Sequence, residues 1–408
     1  MMLPHWLAAA ACLPAVVYAA AFWQYRHHWL KLSIAANQPQ APRPHAPATG
    51  ETPVVSVLIA ARNEAANLPL LLTDLGQQTW LQQGGRFEVV VVDDHSTDDT
   101  AAVVQAVAAN SPYVLRLLRL AEQPGQPTGK KAAIVAAIAQ ARARWVLCTD
   151  ADCRVPAGWL AAYAQVFGNP EVQFVSGSVL LTGKGLLAGL QGLELAALVG
   201  TGAASIGAGA PTMCNGANLA YQRAAFYEVG GFGGNAHVPS GDDEFLLHKM
   251  AEAYPQGIQF LKHPEATVHT AAQPTLGALL QQRVRWASKW RHYQSGASRG
   301  LAVLVLAANV GLWALVGLLL WQASVWPWVL AAWALKLGAD VAFLNPVLRF
   351  FERRKWLMLV PLLQLVYPPY ALAVGLLGLR GGYRWKGRQM AAKKTEMPRS
   401  VGVPGAAS

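Results

Sequence analysis

From His5 to Trp23 the chain carries no Lys, Arg, Asp or Glu, over about the length a helix needs to cross a bilayer. Leu301 to Trp321 repeats the pattern near the other end. These runs constrain the fold more than anything between them, because a backbone in hydrocarbon must satisfy its own polar groups and a single segment can do so only as a helix. Composition agrees. Only 13% of the 408 residues are charged, whereas about 25% is usual in soluble domains. Hydrophobic residues reach 53%, which excludes bulk disorder, and four cysteines are too few for a disulfide scaffold.

No Lys or Arg precedes the first apolar run, whereas Arg26, His27, His28 and Lys31 follow it. A secretory signal carries its positive charge in front. The order here places the N-terminus outside and residue 26 onward in the cytosol, with a signal cut near Ala19 to Ala21 as the alternative. Residues 1–25 read as a transmembrane anchor and 26–53 as a linker, Pro- and Ala-rich from 36. Residues 300–380 hold about three membrane segments. Leu301 to Trp321 is the clearest, and Val325 to Pro346 contains Lys336 and Asp340, one helical turn apart and able to pair. Trp356 to Leu379 is interrupted by Pro368 and Pro369. The basic loop Arg349 to Lys355 belongs in the cytosol by the same charge rule. If the last segment crossed, the basic tail 381–408 would lie outside; the double proline favours a re-entrant or interfacial hairpin that returns it. The net charge of +11 therefore lies largely beside apolar segments, and no nucleic-acid partner is expected.

Residues 54–295 change pattern. Val54 to Ile59, Phe87 to Val92, Val114 to Leu118, Trp145 to Thr149 and Val172 to Val175 are short β-branched runs of buried-strand length. Helical spacing separates them, as in Ala101 to Ala109 and Ala132 to Ala141. Alternation of this kind predicts an α/β fold with a mainly parallel sheet, whose ligands gather beyond the carboxyl ends of the strands. Residues 184–213, apolar and Gly-rich around Glu194, read as an interfacial or core helix, since a span there would put Asp150 and Asp243 on opposite sides of the membrane.

Three acidic clusters follow predicted strands. In VVVVDDHSTDDT, helix capping explains Asp98 and Asp99, while Asp93 and Asp94 directly after four valines are suited to accept hydrogen bonds from a base or ribose. Asp150 and Asp152 share one side of an extended segment, where two carboxylates repel unless a cation intervenes. Hard oxygen ligands select Mg2+ or Mn2+; an acidic turn is the plain alternative. In SGDDEF the acids open a helix, where its dipole favours them, or one faces a cleft as a general base. Lys130 and Lys131 offer positive charge at another helix start, without the residues of a Walker loop. QQRVRW combines an amide, a phosphate-binding fork and a stacking ring in Gln282, Arg285 and Trp286, or else simply anchors the chain at the membrane interface.

In this order, VSVLIAARNEAANL (56–68), VVVVDDHSTDDT, GKKAAI, TDADC, NGANLAY, SGDDEFLL and QQRVRW resemble the membrane-bound family 2 glycosyltransferases with a GT-A fold. The resemblance covers about 55 to 295 and implies inverting sugar transfer from a nucleotide diphosphate, a UDP-sugar foremost, with Mg2+ or Mn2+. Carried over, Ala60, Arg62, Glu64, Asp94 or Asp93, Lys131 and Asp150 would bind the nucleotide, and Asp150 and Asp152 would hold the metal. Asp243 matches the catalytic base, with Asp242 competing, and Gln282, Arg285 and Trp286 match a QxxRW signature holding diphosphate and acceptor. The implied enzyme sits in the inner membrane, works on its cytosolic face and takes a lipid or glycan acceptor. A processive polysaccharide synthase and a non-catalytic scaffold are the competing readings. A nucleotidyltransferase would leave QQRVRW at the membrane without a role.

Overall fold

In the computed structural model, residues 2–33, 53–123, 127–235, 241–289 and 295–380 are described, with Gly125, Val238, 383–385 and 388–390. The β-branched runs become strands of a seven-stranded sheet: β1 (Val55–Ala61), β2 (Phe87–Asp93), β3 (Val114–Arg119), β4 (Trp145–Asp150), β6 (Phe174–Gly177), β8 (Leu219–Gln222) and β9 (Ile258–Leu261), ordered β3-β2-β1-β4-β8-β6-β9. β1 to β4 are mutually parallel, and β8 runs antiparallel between β4 and β6. β5 (Cys153–Arg154), β7 (Val179–Thr182) and β10 (Val268–Ala271) form a second sheet, and β11 (Tyr383–Trp385) pairs with β12 (Arg388–Met390).

Register positions the site. Ala60 pairs with Asp150 and Ala61 with Asp93, so the carboxyl ends of β1, β2 and β4 finish together. Strand residues alternate between two cores. Val55, Val57, Val89 and Val91 pack with α2 (Leu68–Gly76), α3 (Thr79–Gln82), α4 (Thr100–Ala108) and α6 (Trp159–Phe167). Leu58, Val90 and Val92 pack with α5 (Lys130–Gln140), α8 (Arg223–Glu228) and α9 (Asp242–Ala253). Burial on both faces explains why these strands read as continuous apolar runs.

Among the described residues five helices are long and apolar enough to cross a membrane: α1 (Met2–Lys31), α7 (Leu186–Gly207), α11 (Gly296–Trp321), α12 (Trp326–Phe350) and α13 (Val360–Arg380). α1 ends at Lys31 rather than at residue 25, because its last turn is fastened. Lys262 Nζ donates to the carbonyls of Trp29 (2.8 Å) and Leu32 (3.2 Å) and lies 4.4 Å from the Trp29 ring centre. Residues 34–52 of the expected linker, and the tail from 391, lie outside the described residues. α1 packs against α11 and α12. A Cβ at Gly311 would come within 2.7 Å of the Ala11 carbonyl oxygen, so glycine permits that close crossing.

α7 differs from the other four in being mostly buried, between them and the α/β domain. Gly200 meets Val347 and Phe343, Gly207 meets Leu32, and the same helix packs on β7 and β9. α13 departs from the expected hairpin: Pro368 and Pro369 lie inside one continuous helix. The lost N–H donors do not break it, because it is held against α10 (Leu276–Ala287), α11 and α12. Trp356 and Leu359, just before α13, pack on Gly192 and Gly189 of α7, while Gly378 near its end packs on Ala287 of α10. Both ends of α13 therefore lie beside helices that pack on the α/β domain.

Candidate active site

Asp150 ends β4, Asp152 lies in the turn before β5, and Asp242 and Asp243 open α9. Lys130, in the first turn of α5, reaches into this cluster. Its ammonium lies 2.6 Å from Asp150 Oδ1 and 3.7 Å from Asp242 Oδ2. Burial opposes its charge, but the two carboxylates hold Lys130 above the ordinary lysine range. Asp243 is fixed by two backbone donors: Gly216 N to Oδ2 and Glu244 N to Oδ1, each 2.9 Å. Gly241 ahead of α9 adopts φ +80, and a Cβ there would strike Phe245 at 2.9 Å. Glu244 pairs with Lys289 at 2.8 Å, tying the first turn of α9 to the chain after α10.

A cavity of about 1020 Å3 joins these groups. Ala60, Glu64, Asp94, Lys130, Asp150, Asp152, Gly216, Asp242 and Asp243 line one end. Gln282, Arg285 and Trp286 of α10 line its middle. It continues among the membrane-type helices to Tyr18, Asn309, Lys336, Asp340 and Gln364. At that end Lys336 Nζ lies 2.8 Å from Asp340 Oδ2, the pairing expected from their spacing, and Tyr18 donates to Asp340 Oδ1 at 2.7 Å.

The remaining candidates divide between cavity and scaffold. Asp94 lines the cavity, and its Oδ2 accepts the Gly129 N–H that precedes α5 (3.0 Å). Asp93 is turned inward, where its Oδ1 accepts from Ser96 N (2.9 Å) and caps the turn after β2. Arg62 donates to the carbonyls of Asp94 (2.8 Å) and His95 (2.7 Å), bracing the same turn from outside the cavity lining. Lys131 donates to the carbonyls of Asn235 (2.7 Å) and Val238 (2.8 Å), and burial pushes it down to about 8. The cation against the acids is thus Lys130 rather than Lys131. Both lysines of GKKAAI line the cavity, but about 100° apart on the helix they send their ammonium groups to different partners.

Arg283 and Gly216 escaped the sequence reading. Arg283 is buried between α10 and α7, 2.8 Å from Glu194. Gly216 sits where a Cβ would come within 3.2 Å of Lys130 Nζ and 3.5 Å of Asp242 Oδ2. The donor set suits a hard divalent cation. Burial and the adjacent Asp150 charge push the Asp152 carboxyl up, and a cation would relieve that repulsion. Among the described residues no three metal-ligating side chains cluster, so substrate oxygens and water would complete the coordination.

A family model described as glycosyl transferase family 2 matches residues 56–230, and one described as glycosyl transferase family group 2 matches 145–344. The poly-beta-1,6-N-acetyl-D-glucosamine synthase of Staphylococcus aureus (strain COL) is 25% identical over 241 residues, 57% of this chain and 53% of that protein. The alignment thus spans about half the length of that relative. The undecaprenyl-phosphate 4-deoxy-4-formamido-L-arabinose transferase of Pseudomonas aeruginosa (strain LESB58) is 38% identical over 103 residues, 25% of this chain and 29% of that protein. The mannosyltransferase PcManGT from Pyrobaculum calidifontis, solved with GDP-Man and Mn2+, superimposes with a TM-score of 0.50 at 22% identity, covering 88% of this chain and 99% of that one. Two overlapping family matches that run together from residue 56 to 344, on a sheet of this order, make the chain an enzyme of the family 2 glycosyltransferases with a GT-A fold.

Proposed function

We propose that the enzyme transfers a sugar from a nucleotide-diphosphate sugar, a UDP-sugar foremost, to a lipid or glycan hydroxyl at the cytosolic face of the inner membrane, with inversion. The observation that carries this reading is the single cavity. It holds the acids of β4 and α9 at one end, α10 in the middle and membrane-type helices at the other. An acceptor seated among those helices would meet the donor without leaving it.

Asp243 takes the proton of the acceptor hydroxyl, with each oxygen anchored by a backbone N–H and still able to accept a second bond. The acceptor oxygen bonds to the anomeric carbon as the carbon–phosphate oxygen bond breaks on the opposite face. The nucleotide diphosphate leaves with the electron pair. Asp150 and Asp152 would hold Mg2+ or Mn2+, which when bound offsets charge on the leaving diphosphate. Lys130 and Arg285 supply fixed positive charge there, and Trp286 a ring face for a sugar. The basic run from Arg349 to Lys355, with Trp356 just after it packed on Gly192 of α7, supports a cytosolic active site.

A second reading is favoured by the deep end of the cavity. Lys336, Asp340, Asn309 and Gln364 there would suit a hydroxyl-rich chain better than an acyl tail, as in processive synthesis.

Membranes bearing the chain, given UDP-N-acetylglucosamine, UDP-glucose and GDP-mannose with Mn2+ or Mg2+, should release nucleotide from one donor. Asp243→Asn should abolish release while nucleotide binding persists. Release that survives Asp243→Asn but not Asp242→Asn moves the base to Asp242, and release independent of both sinks the mechanism.

A further inference from the structure

Arg283 makes three kinds of contact at once. Its Nε and Nη2 donate to one oxygen of Glu194 at 3.1 and 2.8 Å. Its Nη1 donates to Gln282 Oε1 at 2.6 Å, and its guanidinium plane lies 4.1 Å from the Trp286 ring centre. Arg283 is only 4% exposed, so none of this is a passing surface contact. Tyr370 of α13 closes the group from the other side, 3.5 Å from Glu194 Oε1.

Each contact has a consequence inside the cavity. With Gln282 Oε1 engaged by Arg283, the amide nitrogen is the atom left to donate, and Gln282 lines the cavity. With one face of Trp286 covered by the guanidinium, only the other is free to stack on a ligand. Glu194 sets where the guanidinium lies, because two donors converge on one carboxylate oxygen. Lysine could keep the charge at 283 but not the three directions.

We propose that Glu194 and Arg283 are positioning residues: anchored on α7, Arg283 orients the Gln282 amide and the Trp286 ring toward the acceptor. This rests on the glycosyl-transfer reading above. The contacts of Arg283 and Glu194 run to each other, Gln282, Trp286 and Tyr370 rather than to the acids of β4 and α9, so losing them should uncouple transfer from donor cleavage by water.

The test uses full-length chain in native membrane vesicles, with UDP-N-acetylglucosamine and GDP-mannose labelled in the sugar as probes. Label in the lipid or polymer fraction reads transfer, and free labelled sugar reads hydrolysis. Arg283→Lys should lower transfer about 10- to 100-fold while hydrolysis and the donor KM stay within about twofold. Glu194→Gln keeps an accepting oxygen and should lie between, which preserves the test if Arg283→Lys does not accumulate. A swapped pair, Glu194→Arg with Arg283→Glu, restores a helix–helix ion pair but neither the Gln282 nor the Trp286 contact, and should not rescue transfer. Rescue by the swap, parallel loss of transfer and hydrolysis, or unchanged transfer overturns the proposal. Wild-type vesicles that cleave neither donor, or whose cleavage is unchanged in Asp243→Asn, would instead count against the glycosyl-transfer reading.

Discussion

Gly216 donates its backbone N–H to Asp243 Oδ2 at 2.9 Å, from a point where a Cβ would lie 3.2 Å from Lys130 Nζ. One glycine thus holds the candidate base and leaves room for the neighbouring cation. Gly216→Ala should displace Lys130 and turn Asp243 slightly. Because the clash falls on the end of a flexible side chain, the fold should lose only about 1 kcal/mol. Nucleotide release, by contrast, should fall about tenfold or more, since small misplacements of reacting groups are costly. Parallel melting and rate measurements separate the two, and a melting loss that accounts for the lost rate would refute a local effect.

Lys130 competes with any cation for Asp150, at 2.6 Å. Lys130→Met leaves Asp150, Asp152 and Asp242 facing one another without that ammonium. Mn2+ should then bind about three- to tenfold more tightly, as expected from removing one near charge in a partly screened site. The donor KM should rise, because a charge near the diphosphate has gone. Free Mn2+ followed by electron paramagnetic resonance gives the first quantity without turnover. Weaker Mn2+ binding would mean that Lys130 organises the carboxylates instead of competing for them.

The parts of the molecule legible in the sequence were those set by burial. Four valines from Val89 to Val92 could only be a strand covered on both faces, and Asp93 and Asp94 therefore had to stand at its end. β8 was invisible because four residues, Leu219–Gln222, carry too little pattern. Side-chain direction was the other limit. Asp93 and Asp94 are adjacent, yet one caps a turn and the other lines the cavity. Arg62 is expected beside the nucleotide, and nothing in the sequence signals that it also braces the carbonyls of Asp94 and His95. Arg283 lay inside a recognised motif, but its partner Glu194 is far away in sequence, and only the packing of α7 on α10 brings them together.

Burial pushes Lys262 down to about 8 where it meets the end of α1. Its unfolded value is the ordinary 10.5. Between these values the unfolded chain binds more protons, so this residue's contribution to stability rises as pH increases from about 8 to 10.5. Lys131 and Lys249, also lowered, act in the same direction. The residue-specific part is therefore the difference between wild type and Lys262→Met, measured as melting temperature from pH 7.5 to 10. That difference should shift in favour of wild type as pH rises. A difference flat across the window would show that the carbonyls of Trp29 and Leu32 keep the ammonium charged.

Lys336 and Asp340 face the deep end of the cavity, where a charge without its partner has little water to turn to. Asp340→Asn leaves the Lys336 charge buried and uncompensated, facing a neutral amide and the Tyr18 ring 4.7 Å away, and should cost about 3 to 5 kcal/mol. Lys336→Met with Asp340→Leu removes both charges and should recover most of that loss. Melting of the detergent-solubilised protein distinguishes a single variant from the pair. The stable double variant then serves a second purpose, because it removes both charges from the lining without emptying it. If the acceptor is a lengthening glycan, single-sugar transfer should persist while products shorten, since hydroxyls would lose their partners in the membrane. If the acceptor is a lipid chain, product size should not change.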